Sequence, residues 1–345
     1  MNSTPQISIN WMNVWCHTQD EPRFSVIHPP LPSTMSANKT ITLPVSYEAC
    51  QLPMVKLSHY PVGTTEVTPV VIVTLNRPEK SNTWTPAMAE SLEKVFPMFH
   101  LDERVKVVVL TGAGKRFCAG ADLDLGFGIG AGENPQDYRD TGGRVALAIH
   151  RCQKPTIAAM QGSAVGIGMT MTLPAVIRIC HEKSKYGFVF TRRGITPEAC
   201  SSYFLPRLVG LSRAMFLIST GGVYPPQQRY FGDLFTEVLP EASQVLPRAL
   251  EIAADMAENV SPMALAMCRS LLWEGMQSPE EAHLLESRVF HHMLGLRDHG
   301  EGVKSFLEKR KPDFKTDLQN HWPAIYPWWY ETNIDPKQTT KGSKL

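Results

Sequence analysis

No apolar run in this chain approaches the ~20 residues that a membrane-crossing helix needs. The longest candidates, such as Val105–Leu110 (VKVVVL), have the length of a buried strand. Seven cysteines are scattered through 345 residues with no CxxC pair and no regular spacing. That pattern suggests neither a disulfide framework nor a zinc site, and it fits a reduced intracellular setting better than secretion. Neither sign of charge dominates: 34 Lys and Arg against 33 Asp and Glu leave a formal net charge of +1. There is thus no electrostatic reason to expect a nucleic-acid partner. Internal repeats and low-complexity segments are also missing. What remains is a chain with 43% hydrophobic and 19% charged residues, ordinary for a soluble globular protein and long enough to bury a substantial core.

Residues 1–34 mix Pro, Ser, Thr, Asn and isolated aromatics without a period, so a mobile extension is expected over residues 1–50. The stretch has neither the apolar core of a signal peptide nor the charge bias of a transit peptide, and Met35 is an alternative start. Globular patterning begins near Val67. Val70–Leu75 and Val105–Leu110 are β-branched runs of strand length. Between them, Met88, Leu92, Val95, Phe96 and Phe99 have helical spacing, with Thr85 as N-cap and Pro86 in the first turn. Further alternation predicts a helix over Gly143–Arg151, a strand over Thr156–Met160, a short helix over Ile167–Leu173 and a strand over Ala175–Cys180. The result is an α/β core over residues 51–241 with mostly buried strands. Four amphipathic stretches within 242–314 (Ala242–Asn259, Pro262–Glu274, Pro279–Leu296 and Glu301–Lys309) predict a helical C-terminal part. Residues 315–345 form a tail with a Trp-rich centre, expected to cover a groove on its own subunit or a neighbour.

Two stretches after predicted strands are dense in Gly and Ala: Lys115–Leu123 (KRFCAGADL) and Gln161–Met169 (QGSAVGIGM). Small residues there allow a ligand to approach the backbone, whose N–H groups can meet an anionic oxygen. Taken singly, each reads equally well as a tight turn. Taken together, FCAGADL, KPTIAAMQGSAVGIG, the Asn76-Arg77-Pro78 turn, FTRRGITPEACSSYFLPRLVG and the late EGVKSFLEKRKPDF occur in an order that resembles the crotonase superfamily of enoyl-CoA hydratases and isomerases. The resemblance runs from about Val67 to about Phe314. It implies a spiral of repeated ββα units and an acyl-CoA substrate, with coenzyme A as part of the substrate and no separate cofactor or metal. It further implies a homo-oligomer, a trimer or a hexamer.

The resemblance places the two oxyanion-hole N–H groups on Ala121 and Ile167, with Ala119, Gly120, Asp122, Leu123, Gly166 and Gly168 around the substrate. Such donors hold the thioester oxygen as it becomes an enolate, and losing one costs about 3 kcal/mol of transition-state stabilisation. The Ile167 side chain, where the family usually has Gly, must find room elsewhere. Hydratases of the family carry two Glu residues where this sequence has Thr170 and Phe190, neither able to shuttle a proton. Glu198 stands where the Δ3,Δ2-enoyl-CoA isomerases have their single catalytic carboxylate, in a run similar to the PEGCSSY of the peroxisomal isomerases. One carboxylate suffices to move a proton from C2 to C4. The bland alternative for Glu198 is an acid in the first turn of a helix, stabilised by the dipole.

The expected function is therefore enoyl-CoA isomerisation. The alternatives are a hydratase of a specialised acyl chain, its second acid supplied by Asp122 or by the 124–140 loop, and a non-catalytic acyl-CoA-binding protein. Lys115, Arg116 and the Lys309–Lys311 run are candidates for CoA phosphate contact or ordinary surface charge. Gly126–Ala131 reads as a loop over the acyl pocket and not as a dinucleotide fingerprint, because no βαβ context surrounds it. The adjacent His291 and His292 read as surface residues. Ser343-Lys344-Leu345 is a peroxisomal address, which implies an import receptor as partner and the peroxisome as location.

Overall fold

The β-branched runs become the middle of a six-stranded sheet. The computed structural model describes residues 41–126 and 134–334. The expected extension over residues 1–40, most of the Gly126–Ala131 stretch and the SKL tripeptide lie outside the described residues. The sheet contains β1 (Val55–Tyr60), β2 (Val70–Leu75), β3 (Val107–Gly112), β4 (Thr156–Met160), β6 (Ile177–His181) and β9 (Glu237–Leu239), in the order β1-β2-β3-β4-β6-β9. β1 runs antiparallel to β2 and every other pairing is parallel. A smaller sheet joins β5 (Ala164–Val165), β7 (Tyr186–Gly187) and β8 (Val223–Tyr224). The chain alternates between the sheets: β4 then β5, and β6 then β7, each pair followed by helix. This is the mixed α/β architecture expected.

Parallel strands are covered on both faces. All six residues of β3 are buried, and the period of two sends Val108 and Leu110 to one core and Val107 and Val109 to another. The first core is closed by α1 (Pro86–Leu101) and α2 (Thr141–Arg151). The second is closed by α6 (Ala242–Asn259), where Val245, Ala249, Ala253 and Ala257 recur at i, i+4 and their small size brings the helix close to the sheet. The Thr85 hydroxyl caps α1, accepting the Met88 N–H at 3.2 Å. Along the chain, α3 (Ile167–Thr170) follows β5, and α4 (Ser201–Val209) and α5 (Leu211–Thr220) come between β7 and β8.

The boundary expected at residue 50 falls inside packed structure. Tyr47 is fully buried and its hydroxyl donates to Asp102 Oδ2 at 3.0 Å. β1 also precedes the expected onset of globular pattern at Val67. Its inward residues are Val55, Leu57 and His59, so a buried histidine breaks the apolar alternation that would have revealed it. The C-terminal helices are α7 (Pro262–Trp273), α8 (Pro279–Leu294) and α9 (Arg297–Glu308). The aromatic tail covers its own subunit: Trp322 stacks on Tyr326 at 4.0 Å, and both pack with Trp328 against α7 and α8. Trp328 Nε1 donates to the Glu274 carbonyl at 2.8 Å.

Candidate active site

The two glycine-rich loops lie against each other. The Val165 N–H donates to the Cys118 carbonyl at 3.2 Å, and a side chain at Gly168 would collide with that same carbonyl. Gly120 and Gly166 both take positive φ, 89° and 54°, and a β-carbon on Gly166 would sit 4.0 Å from the Gly120 Cα. The first loop is pinned to the turn after β2. Ala119 N–H donates to Ser81 O, Trp84 N–H to Gly120 O, and Asp122 N–H to Trp84 O. Ala121 lies between these bonds, and its N–H has no hydrogen-bond partner among the described residues. Ile167 opens α3 and its N–H is likewise unpartnered among the described residues, as the first donor of a helix is. The Ile167 side chain finds its room over α2: a β-carbon on Gly142 would collide with Ile167 Cδ1.

Asp122 is committed to structure. Its Oδ2 accepts from Arg77 Nη1 at 2.5 Å and its Oδ1 from the Asp124 N–H at 3.1 Å. The guanidinium holds its carboxyl below the usual range. Arg77 in turn donates to Thr83 Oγ1 at 2.7 Å, and Asn82 Nδ2 reaches the carbonyls of Ala113 and Arg116 at 2.8 Å each. Leu123 is exposed.

Glu198 does not belong to a helix. α4 begins at Ser201, and its cap Cys200 is left-handed, as is Ala199, both at φ 54°. The helix-terminus reading of this carboxylate therefore fails: two left-handed residues separate it from the first helical turn. Its side chain turns instead toward α3 and α2. Thr170 Oγ1 donates to Glu198 Oε1 at 2.7 Å, and a side chain at Gly142 would collide with Glu198 Oε2. Burial pushes the Glu198 carboxyl up to about 7; the Thr170 hydroxyl works against that rise, and the charge of Asp140 adds to it. Phe190 is buried in the apolar core.

Over residues 65–317 the chain matches the enoyl-CoA hydratase/isomerase family. It is 46% identical over 249 residues to the enoyl-CoA hydratase ACTT3 of Alternaria alternata, covering 72% of this chain and 84% of that protein. The chain belongs to the enoyl-CoA hydratase/isomerase family. It is an enzyme of the crotonase superfamily. Another relative in this family is the mevalonyl-coenzyme A hydratase SIDH of Beauveria bassiana, 30% identical over 256 residues, covering 71% of this chain and 91% of that one. The crystal structure of an enoyl-CoA hydratase from Bacillus anthracis superposes with a TM-score of 0.67 at 30% identity, covering 77% of this chain and all of that one.

Set in this family frame, the remaining candidates separate. Lys115 and Arg116 are exposed beside the first loop. Arg310 is bound to Glu301 and Glu308, and Lys311 to Glu258, so two cations of the late basic run are engaged by acids. Asp124 pairs with Lys80 on the surface. His291 is exposed, whereas His292 is half-buried against the His321 carbonyl at 2.8 Å. No metal-binding cluster occurs among the described residues. Sequence reasoning missed Thr170 as a partner of Glu198 and missed Gly142 altogether, and it reached Asp140 only as part of the 124–140 loop named as a source of a second acid. Asp140 caps α2, and the signal for it was the ordinary one, an Asp immediately before a helical stretch.

Proposed function

We propose that this enzyme shifts the double bond of a 3-enoyl-CoA to C2, with Glu198 as its acid–base group. The observation that carries the reading is one carboxyl pushed by burial to about 7, with the Thr170 hydroxyl bonded to it. Thr170 and the core residue Phe190 stand where the resemblance puts the two carboxylates of a hydratase. The Glu198 carboxylate takes a proton from C2, and the C–H electron pair moves toward the thioester carbonyl to form an enolate oxygen. The Ala121 and Ile167 N–H groups hold that oxygen. The protonated Glu198 then returns its proton at C4, the double bond forms between C2 and C3, and the carbonyl is restored. A carboxyl poised near neutrality serves both as base and as acid. Coenzyme A enters as part of the substrate, and no cofactor is needed for these steps. Ala119, Gly120, Gly166 and Gly168 give the thioester its close approach to the backbone.

A second reading, hydration, is favoured by the names of the Alternaria and Beauveria relatives. It requires a second acid. Asp122 is occupied by Arg77, and Asp140 has one carboxylate oxygen committed to two backbone amides. The proposal extends to a homo-oligomer, supported by the apolar residues Phe290, Phe306 and Leu307 exposed on the C-terminal helices. It extends also to peroxisomal import through Ser343-Lys344-Leu345. The deciding experiment compares 3-enoyl-CoA isomerisation with hydration of matched 2-enoyl-CoA across short, medium and branched chains. Isomerisation should be much the faster, and Glu198→Gln should lower it by about a thousandfold or more. Hydration that equals isomerisation across the panel would overturn the isomerase reading.

A further inference from the structure

Asp140 lies outside every motif that carries the resemblance, yet it joins the start of α2 to the segment that carries Glu198. Its Oδ2 caps α2 by accepting the Gly143 N–H at 2.5 Å. The same oxygen accepts the Ala199 N–H at 3.3 Å, from the residue that follows Glu198. The segment so held is strained, since Ala199 and Cys200 are consecutive β-carbon-bearing residues in the left-handed region. That left-handed pair stops α4 from extending back through Glu198 and leaves the Glu198 side chain free to reach Thr170. Gly142, two residues after Asp140, supplies the space that Glu198 Oε2 occupies. The cap, the gap and the tie thus fall within four residues of the chain.

We propose that Asp140 is a positioning residue of the active site: one carboxylate oxygen ties the start of α2 to the Ala199 amide and so fixes the Glu198 carboxyl against Gly142 and Thr170. The inference rests on Glu198 being the acid–base group. The tie is also electrostatic, because Asp140 is a negative charge facing Glu198. Thr170, from α3, presents a hydroxyl to it. Cys118, from the first loop, and Cys200, from Glu198's own segment, are pushed by burial to about 12 and about 11 and remain neutral thiols. Arg151, at the far end of α2, bears on Cys200. Among these groups only Asp140 opposes ionisation of Glu198 by its charge. It holds the catalytic group in place and keeps its proton affinity high.

The test measures kcat and kcat/KM for 3-enoyl-CoA isomerisation against pH in the full-length wild-type protein, Asp140→Asn, Asp140→Ala and Glu198→Gln. The Asn amide oxygen still accepts both N–H bonds but carries no charge. Asp140→Asn should lose only a few-fold at the plateau, and its acidic limb should move to lower pH. Asp140→Ala, lacking the acceptor, should lose about a hundredfold in kcat with a smaller change in KM. If the Ala variant does not fold, Asp140→Ser, whose hydroxyl can still cap α2 but is too short to hold the Ala199 amide as well, takes its place and should show the same loss in kcat. A folded Asp140→Ala with wild-type kcat overturns the positioning role, and an acidic limb that stays in place in Asp140→Asn overturns its electrostatic part. Glu198→Gln separates the two possible failures. An inactive Gln variant beside an Ala or Ser variant of wild-type kcat sinks the role of Asp140 alone, whereas an active Gln variant sinks the Glu198 reading and this inference with it.

Discussion

Around the first glycine-rich loop the charged contact joins opposite signs, Arg77 with Asp122, whereas around Glu198 the nearby charge, Asp140, has the same sign. The first wall is stapled by the Asn82 amide and the Arg77 guanidinium, which satisfy carbonyls and a carboxylate left over by the turn. Both walls hold a pair of consecutive left-handed residues, Ser81 and Asn82 in the first and Ala199 and Cys200 in the second. In the second, however, the carboxyl is pushed up by burial instead of held down by a cation. On the proposed mechanism, the difference follows from what each wall would supply. Backbone donors for a developing oxyanion need only be fixed in space, and pairing nearby charges fixes them. A group that must both take and give a proton near neutrality needs a destabilised anion, and burial beside a like charge provides it.

The comparison is broken most severely by removing the charge that staples the first wall. Arg77→Met keeps much of the side-chain length but leaves Asp122 without its partner and frees the loop that carries Ala121. On the proposed isomerase reading, turnover should fall by about ten- to a hundredfold in kcat, and the protein should melt at a lower temperature. Adding Asp122→Asn to Arg77→Met should cause little further loss, because the two residues act as one pair. Additive losses in the double variant would show that the two side chains do not act through each other.

A change at Glu198 itself should move stability in the opposite direction. The carboxyl rises from its ordinary value of 4.5 to about 7 on folding. Between those values the folded state binds more protons than the unfolded state, so stability falls as pH rises through the interval. The cost is absent below the unfolded value and complete above the folded one, reaching about 3 kcal/mol. Glu198→Gln should therefore melt a few degrees higher than wild type at about pH 8 and no higher at about pH 4. A gain of equal size at both pH values would remove burial of the charge as its cause.

Much of this architecture was legible in the sequence because its signals are local. Val70–Leu75, Thr156–Met160 and Ala242–Asn259 form over the residues their periodicity marked, and Thr85 caps the helix it was expected to cap. β1 escaped because its third inward residue is His59, and the two-residue strands of the small sheet are too short to show a period. At the site, the spacing of small residues revealed both loops, since close backbone approach constrains residue type directly. The surroundings of Glu198 were illegible for the converse reason. Thr170 hydrogen-bonds across 28 positions and Asp140 across 59, and neither residue type is unusual where it stands. The helix-dipole reading of Glu198 went astray because nothing in Pro-Glu-Ala-Cys announces two left-handed residues that carry β-carbons.

Thr170 is where the comparison is sharpened by the smallest change. It is fully buried, and its hydroxyl proton is directed at Glu198 Oε1 at 2.7 Å, a bond that favours the carboxylate against burial and the Asp140 charge. Thr170→Val has nearly the same shape and removes only that donor. The Glu198 carboxyl should then hold its proton more tightly, and the acidic limb of kcat/KM should move to higher pH, opposite to the shift expected for Asp140→Asn. At about pH 6.5 the variant should be several-fold slower than wild type. At about pH 9, where the carboxylate forms in both proteins, the difference should narrow to about twofold. An equal loss at both pH values would mean that Thr170 only orients Glu198, and a shift in the same direction as Asp140→Asn would overturn the opposition between hydroxyl and carboxylate. The two substitutions move one limb from opposite sides, so together they measure how far the second wall sets the proton affinity of its own acid.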